Sequence, residues 1–162
     1  MRVLKFSLLL LLMAGLSACS TKFKTYNGPE VTRVAVWKEA RSMRLYHHDK
    51  VLEEYTIDLG FAPIGHKNFE GDGKTPEGRY LIDRRNPNSS FHLSIGISYP
   101  NADDIAAARA AGKSPGGDIF IHGESKPFRR KDWTWGCIAV TNKEMEWIYA
   151  MVKNGTVIDI YP

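Results

Sequence analysis

Hydrophobic and polar positions alternate over Arg33–Lys38, with Val34 and Val36 on one side, which is the period of a strand. Two further apolar runs, Met43–His47 and Val51–Leu59, flank His48-Asp49-Lys50. In the second, Val51, Tyr55, Ile57 and Leu59 share a face interrupted only by Glu53, so the pair reads as a hairpin. Gly60–Gly78 is rich in Gly and Pro and reads as loop, followed by short strands over Arg79–Asp83 and Phe91–Tyr99. The pattern then changes. Asn101 can cap a helix, Asp103 and Asp104 suit its positive end, and an Ala-rich run continues to Gly112. Asp118–Ile121 reads as a strand delivering His122, and Gly123–Gly136 as a loop without apolar period. After a strand over Cys137–Val140, Thr141 and Glu144 have capping-box spacing for a helix reaching about Lys153. Asn154-Gly155 stops it, and Thr156–Tyr161 closes the chain as a strand. The expectation is a mainly β domain with two short helices. Two strands before a helix and two after it argue against a doubly wound βαβ sheet.

The amino terminus follows a different pattern. Arg2 and Lys5 precede an apolar run, Phe6–Leu16, too short for a membrane-spanning helix but suited to the core of an export signal. Leu16-Ser17-Ala18-Cys19 resembles the lipobox of bacterial lipoproteins. That resemblance implies cleavage before Cys19 and acylation of Cys19, whose several acyl chains would anchor the protein stably in a membrane. The boundaries expected are a signal peptide over 1–18, a polar tether over 19–30 and a globular domain over 31–162. Ser20 in place of aspartate favours the periplasmic face of the outer membrane.

Composition fits this organisation. A chain of 162 residues is one domain, and 43% hydrophobic with 25% charged residues is ordinary globular usage. The formal charge of +4 falls to +2 once the signal, with two basic residues and no acids, is set aside. No basic excess remains to suggest a nucleic-acid partner. The two cysteines are too few for a disulfide framework.

Cys137 would then be the one thiol of the mature chain, in an oxidising compartment. Such a thiol is either buried as a small hydrophobe or catalytic. Thr134-Trp135-Gly136-Cys137-Ile138-Ala139-Val140 places it where a loop enters an apolar strand, and Gly136 leaves room for a sharp turn. His122, in Ile121-His122-Gly123, occupies the matching end of another strand. Two strand ends can bring an imidazole to a thiol, and the imidazole can take its proton. No metal-ligand cluster accompanies the pair, and no cofactor is expected.

These residues resemble the active-site motif of the L,D-transpeptidase catalytic domain. Gly71-Asp72-Gly73-Lys74-Thr75-Pro76-Glu77-Gly78-Arg79-Tyr80 is similar to the Thr-Pro-x-Gly-x-aromatic turn preceding that motif in the family. The resemblance extends over Val31–Pro162. It implies a β-sandwich-like fold and a cysteine acyltransferase acting on peptidoglycan stem peptides, by 3→3 cross-linking or by attaching protein to the wall; a monomer is expected. Cys137 matches the nucleophile and His122 the proton acceptor. Gly136 and Cys137 match the oxyanion-binding amides, and Thr134 a hydroxyl that orders the loop or substrate. Trp135 and Ala139 depart from the commonest pattern, which has a basic residue or histidine before the glycine and Arg or Asn two after the cysteine. A hydrolase (amidase or carboxypeptidase) using the same pair, and a non-catalytic wall-binding lipoprotein, are the competing functions. Further candidates for holding an acidic stem peptide are Arg129, Arg130, Trp135, His92 and Tyr99. Against each stands an ordinary reading: a solvated charge run, loop packing, a strand histidine. His66 reads as a loop residue without partners, and Asp118 and Asp132 as strand-end and loop residues able to orient the site.

Overall fold

The computed structural model describes residues 21–124 and 131–162. Eight strands and two helices follow in the order β1 (Arg33–Trp37), β2 (Ser42–His47), β3 (Lys50–Thr56), β4 (Gly78–Asn86), β5 (Ser94–Ile97), α1 (Ala102–Ala110), β6 (Phe120–His122), β7 (Ile138–Ala139), α2 (Asn142–Met151) and β8 (Val157–Tyr161). They form one sheet in the order β3-β2-β1-β8-β4-β5-β6-β7. The last strand lies in the middle, parallel to β1 and antiparallel to β4, and so couples the first hairpin to the half that carries His122 and Cys137. The sheet curls until its ends meet. Just past β3, the Asp58 N–H donates to the Ala139 carbonyl (2.9 Å) and the Ala139 N–H to the Asp58 carbonyl (2.8 Å).

The core lies inside this curl. Val34, Val36, Met43, Leu45, Ile95, Ile121, Ile138 and Ile158 are fully buried within it. Ala35 is buried as well, so β1 is covered on both faces, which period-two alternation alone does not anticipate. Met145, Ile148 and Met151 share one side of α2, and this apolar stripe closes the core next to β5 and β6. Capping boxes begin both helices: Asn101 with Asp104 on α1, and Thr141 with Glu144 on α2. Each N-cap is worth about 1 kcal/mol. The apolar side of α1 is slight. Its buried Asp104 instead accepts from Tyr80 Oη (3.0 Å) and pairs with His66 Nε2 (3.0 Å).

Several elements are shorter than the sequence reading, with β3 ending at Thr56, β5 at Ile97 and β6 starting at Phe120, and three further differences have a clear local reason. A bulge between Leu45 and Tyr46 shifts the β2–β3 register, so Val51 faces solvent rather than joining Tyr55, Ile57 and Leu59. The φ of +73° at His92 keeps residues 91–93 out of the ladder, and β5 begins only at Ser94. Strand β4 runs on to Asn86, because β5 pairs with it beyond Asp83.

Buried polar side chains secure the long loop between β3 and β4. Lys38 Nζ, on the β1 side, donates to the carbonyls of Gly65 (2.6 Å) and Thr75 (3.0 Å) and to Glu77 (2.7 Å). Lys67 pairs with Asp72 (2.9 Å), which also accepts the amides of Asn68, Phe69 and Lys74. The segment ahead of β1 is anchored too: Lys22 Nζ donates to the carbonyls of Pro87 (2.6 Å) and His92 (3.1 Å), and Lys24 pairs with Glu146 on α2 (3.1 Å).

These contacts set the acid limit of the fold. Burial raises the Asp72 and Asp132 carboxyls, but Lys67 with backbone amides, and Arg41 with the Leu59 amide, more than offset it; Arg79 lowers Asp159. All three carboxyls end below their ordinary range. A depressed folded pKa gives stability that is complete above the unfolded value of about 4 and lost as pH falls through the folded value. Thermal unfolding is therefore expected to be flat near neutrality and to weaken progressively below about pH 4. Asp72→Asn should lower the neutral Tm and flatten the acid limb; an unchanged limb would contradict this origin.

Candidate active site

The ladder itself brings His122 and Cys137 together. In the parallel β6–β7 pair, Ile121 lies opposite Ile138 and His122 opposite Ala139. Side chains alternate along strands, so Phe120, His122, Cys137 and Ala139 project from one face while Ile121 and Ile138 enter the core. Both side chains open on one cavity of about 290 Å³, whose wall includes Asn86, Ser90, Ser94 and Phe120.

His122 is buried and its ring is fixed. It stacks on Phe91 (4.4 Å between centroids) and meets Trp133 edge-on (5.6 Å). Nδ1 lies 2.6 Å from the Gly123 carbonyl, which can only accept. This contact assigns the proton to Nδ1 and makes Nε2 the basic nitrogen. The Cys137 thiol donates to the Asp118 carbonyl (3.5 Å) and its sulfur accepts from the Phe120 N–H (3.4 Å). Burial pushes the thiol above its ordinary pKa; the Phe120 amide, Lys67 and Arg84 pull down and the Asp118 carboxylate pushes up. The resting thiol is protonated at neutral pH, so attack on a carbonyl needs a base to take the proton.

The turn into β7 joins the two sequence motifs in space. Thr134 Oγ1 donates to the Cys137 carbonyl (2.7 Å) and accepts from the Gly136 N–H (3.2 Å), locking the tetrapeptide turn. An oxyanion would compete with that hydroxyl for the Gly136 amide. Gly136 has φ +118°, and a Cβ there would lie 2.6 Å from the Lys74 carbonyl. A Cβ at Gly60 would lie 2.0 Å from the Gly73 carbonyl and 3.0 Å from the Gly136 Cα. The Gly-Lys-Thr-Pro segment thus packs backbone to backbone under the turn that presents the thiol, and Thr75 Oγ1 accepts from the Gly60 N–H (3.3 Å).

The other sequence candidates fall in different places. Trp135 is 70% exposed and stands edge-on to the half-exposed Phe61 (4.9 Å). His92 lies before β5 rather than within it, and Nε2 engages Glu146 on α2 (3.0 Å). Tyr99 is buried against Tyr80 and donates to the Pro115 carbonyl (3.0 Å), in the core rather than at the cavity. His66 has two partners, Asp104 through Nε2 and the Glu77 amide at Nδ1. Asp132 is a structural clamp, paired with Arg41 (2.7 Å) and accepting the Leu59 amide (3.0 Å). Arg129, Arg130 and Cys19 lie outside the described residues. Arg84 and Lys67, which pull the Cys137 thiol down, sit in segments otherwise ordinary for strand or loop, so nothing in the sequence marks them. Among the described residues no group of three or more His, Cys, Asp or Glu side chains could hold a metal ion.

The profile of the L,D-transpeptidase catalytic domain matches residues 32–160. A putative L,D-transpeptidase, YafK of Escherichia coli K12, is 31% identical over 142 residues, covering 80% of this chain and 53% of that protein. The chain thus spans about half the length of this curated relative. Among solved structures, the helical cell shape determining protein Pgp2 of Campylobacter jejuni superimposes with TM-score 0.64 at 28% identity, over 83% of this chain and 49% of that one. Bd1075 of Bdellovibrio bacteriovorus has the same fold, with TM-score 0.62 at 23% identity over 86% of this chain and 50% of its own.

Proposed function

Because the chain belongs to the L,D-transpeptidase catalytic domain family, we propose that it transfers the acyl group of a peptidoglycan stem tetrapeptide through a thioester on Cys137. The observation that carries this reading is the placement of the thiol and a tautomerically fixed imidazole on one face of one cavity. The likeness to a cell-shape protein supports the wall as the place of action.

The chemistry follows from the geometry. His122 Nε2 takes the Cys137 proton as sulfur attacks the carbonyl of the L-configured attachment centre. Gly123 holds the imidazolium orientation through Nδ1, so no third side chain is required. The Cys137 amide, with the Gly136 amide released from Thr134, stabilises the oxyanion; one such donor is typically worth about 3 kcal/mol. The C–N bond breaks, and His122 returns its proton to the departing D-amino acid. An acceptor amine then attacks the thioester, forming a new amide and regenerating the thiol. Phe91 and Phe120 line the cavity beside the imidazole and the sulfur, and the cavity is open for an acceptor to reach the thioester. Acylated Cys19 would place this reaction at the periplasmic face of the outer membrane.

Incubation with disaccharide-tetrapeptide followed by mass spectrometry tests the reading. The expected product is a cross-linked dimer with one D-alanine released per bond. Free D-alanine with monomeric tripeptide would instead identify a hydrolase, and an unchanged substrate would leave only wall binding.

A further inference from the structure

Among the described residues, Arg84 lies on the sheet face that bears the cavity, outside the cavity lining, and the mechanism above does not use it. Across the sheet, Arg84 lies opposite Gly96 and Gly96 opposite Phe120, while Asn86, Ser94 and His122 form the next row. A bulge between Ile82 and Arg84 re-aims the strand at this point. The Arg84 guanidinium lies over the Phe120 ring, 4.6 Å from its centroid. Gly96 makes the crossing possible: a Cβ there would sit 2.4 Å from Arg84 Cγ and 2.8 Å from Nε. The same Phe120 gives its amide to Cys137 Sγ (3.4 Å). Arg84 is therefore held one aromatic ring from the nucleophile.

Its present partners are weak competitors. Nη1 donates to the sequence neighbour Asp83 (2.9 Å), and Nη2 reaches Asp118 Oδ1 at only 3.3 Å. The Asp118 side chain is 91% exposed, on a residue with φ +54°. An exposed pair of this kind contributes little by itself. With Nη1 held by Asp83, a planar guanidinium fixed on an aromatic ring presents Nη2 for a charge-assisted bond to a carboxylate.

Resting on the stem-peptide reading, we propose that Arg84 is the donor-binding residue that recognises a free carboxylate of the peptide, which displaces Asp118 from Nη2 and aligns the scissile carbonyl with Cys137. Two carboxylates share this chemistry: the C-terminal one of the leaving D-amino acid, and that of the diamino-acid side chain. Asp118 occupies the position until substrate arrives.

Steady-state kinetics of the purified protein with three tetrapeptides test this, one unmodified, one amidated at the C terminus, one amidated on the diamino-acid side chain. Arg84→Gln should raise KM for the unmodified peptide about 10- to 100-fold with kcat changed less than about threefold. The penalty should vanish for whichever amidated peptide lacks the docked carboxylate, which identifies the source. Arg84→Lys should recover part of the affinity, and Asp118→Asn should lower KM. Equal losses on all three peptides, or no loss, would overturn the assignment.

Alkylation of Cys137 by neutral iodoacetamide gives a readout independent of turnover. Asp118 and His122 share the cavity with this thiol, while Arg84 and Lys67 act on it from outside the cavity lining. Arg84→Gln should weaken protection of the thiol by the unmodified peptide and leave protection by the peptide amidated at the docked carboxylate unchanged, whereas a purely structural role would weaken both alike. Peptide that protects the thiol through Arg84 without being turned over would retain the assignment and remove the transferase reading. Turnover indifferent to Arg84 would do the reverse, and neither protection nor turnover would remove both.

Discussion

Cys137→Ala is expected to abolish turnover of disaccharide-tetrapeptide, a loss of at least about 10⁴-fold in kcat, while the protein stays folded. The sulfur makes only two long contacts, with the Phe120 amide and the Asp118 carbonyl, so its loss leaves no strong buried donor or acceptor orphaned. The Tm should move by a few degrees at most. The backbone carbonyl of residue 137, which accepts from Thr134 Oγ1, is untouched by the substitution, so the turn remains. An alanine variant that retained more than a few per cent of the parent rate, after removal of contaminating activity, would refute a thioester route outright.

Gly136→Ala is expected to destabilise the fold by about 3 kcal/mol or more and to cripple catalysis with it. Two separate penalties meet at this residue. The backbone conformation, φ +118°, is one that side chains rarely adopt, and the added methyl would press on the Lys74 carbonyl at 2.6 Å. That carbonyl cannot retreat easily, because the adjacent Thr75 and Asp72 tie its loop to Gly60 and Lys67. Relief would have to come from the turn that carries the thiol. Gly71→Ala separates the two penalties: its φ is +82° but nothing lies within 4 Å of the new methyl. It should cost about 1 kcal/mol by strain alone. Chemical denaturation of both variants measures the difference, and equal midpoints would show that the contact with Lys74 is not the dominant cost.

The neighbourhood of His122 and Cys137 was legible because one ends a short apolar strand, the other leads into one and both adjoin glycine, but the parallel pairing sets Cys137 across from Phe120 rather than at the strand end matching His122. The helix starts were legible because each capping pair, Asn101 with Asp104 and Thr141 with Glu144, is only three residues apart. What escaped depends on residues distant in sequence. The partners of His66 come from α1 and from the start of β4, and the Tyr99 hydroxyl is satisfied inside the core by Pro115. The field of Arg84 reaches the thiol only because Gly96, on a neighbouring strand, leaves room above Phe120. The position of His92 turned on one backbone angle that alternation cannot reveal.

The mutual amide bonds of Asp58 and Ala139 bear on how the chain survives at high local concentration. A two-residue strand such as β7 would otherwise offer an open edge beside a reactive thiol, and open edges recruit other chains into shared sheets. Here that edge is sealed by the protein's own backbone. At the opposite border, β3 exposes Lys50, Glu53 and Glu54, so a second molecule approaching in strand register would meet charge. The device that completes the catalytic half therefore also guards against aggregation. Asp58→Pro, which removes the donating amide, should expose the liability as concentration-dependent light scattering before any loss of secondary structure.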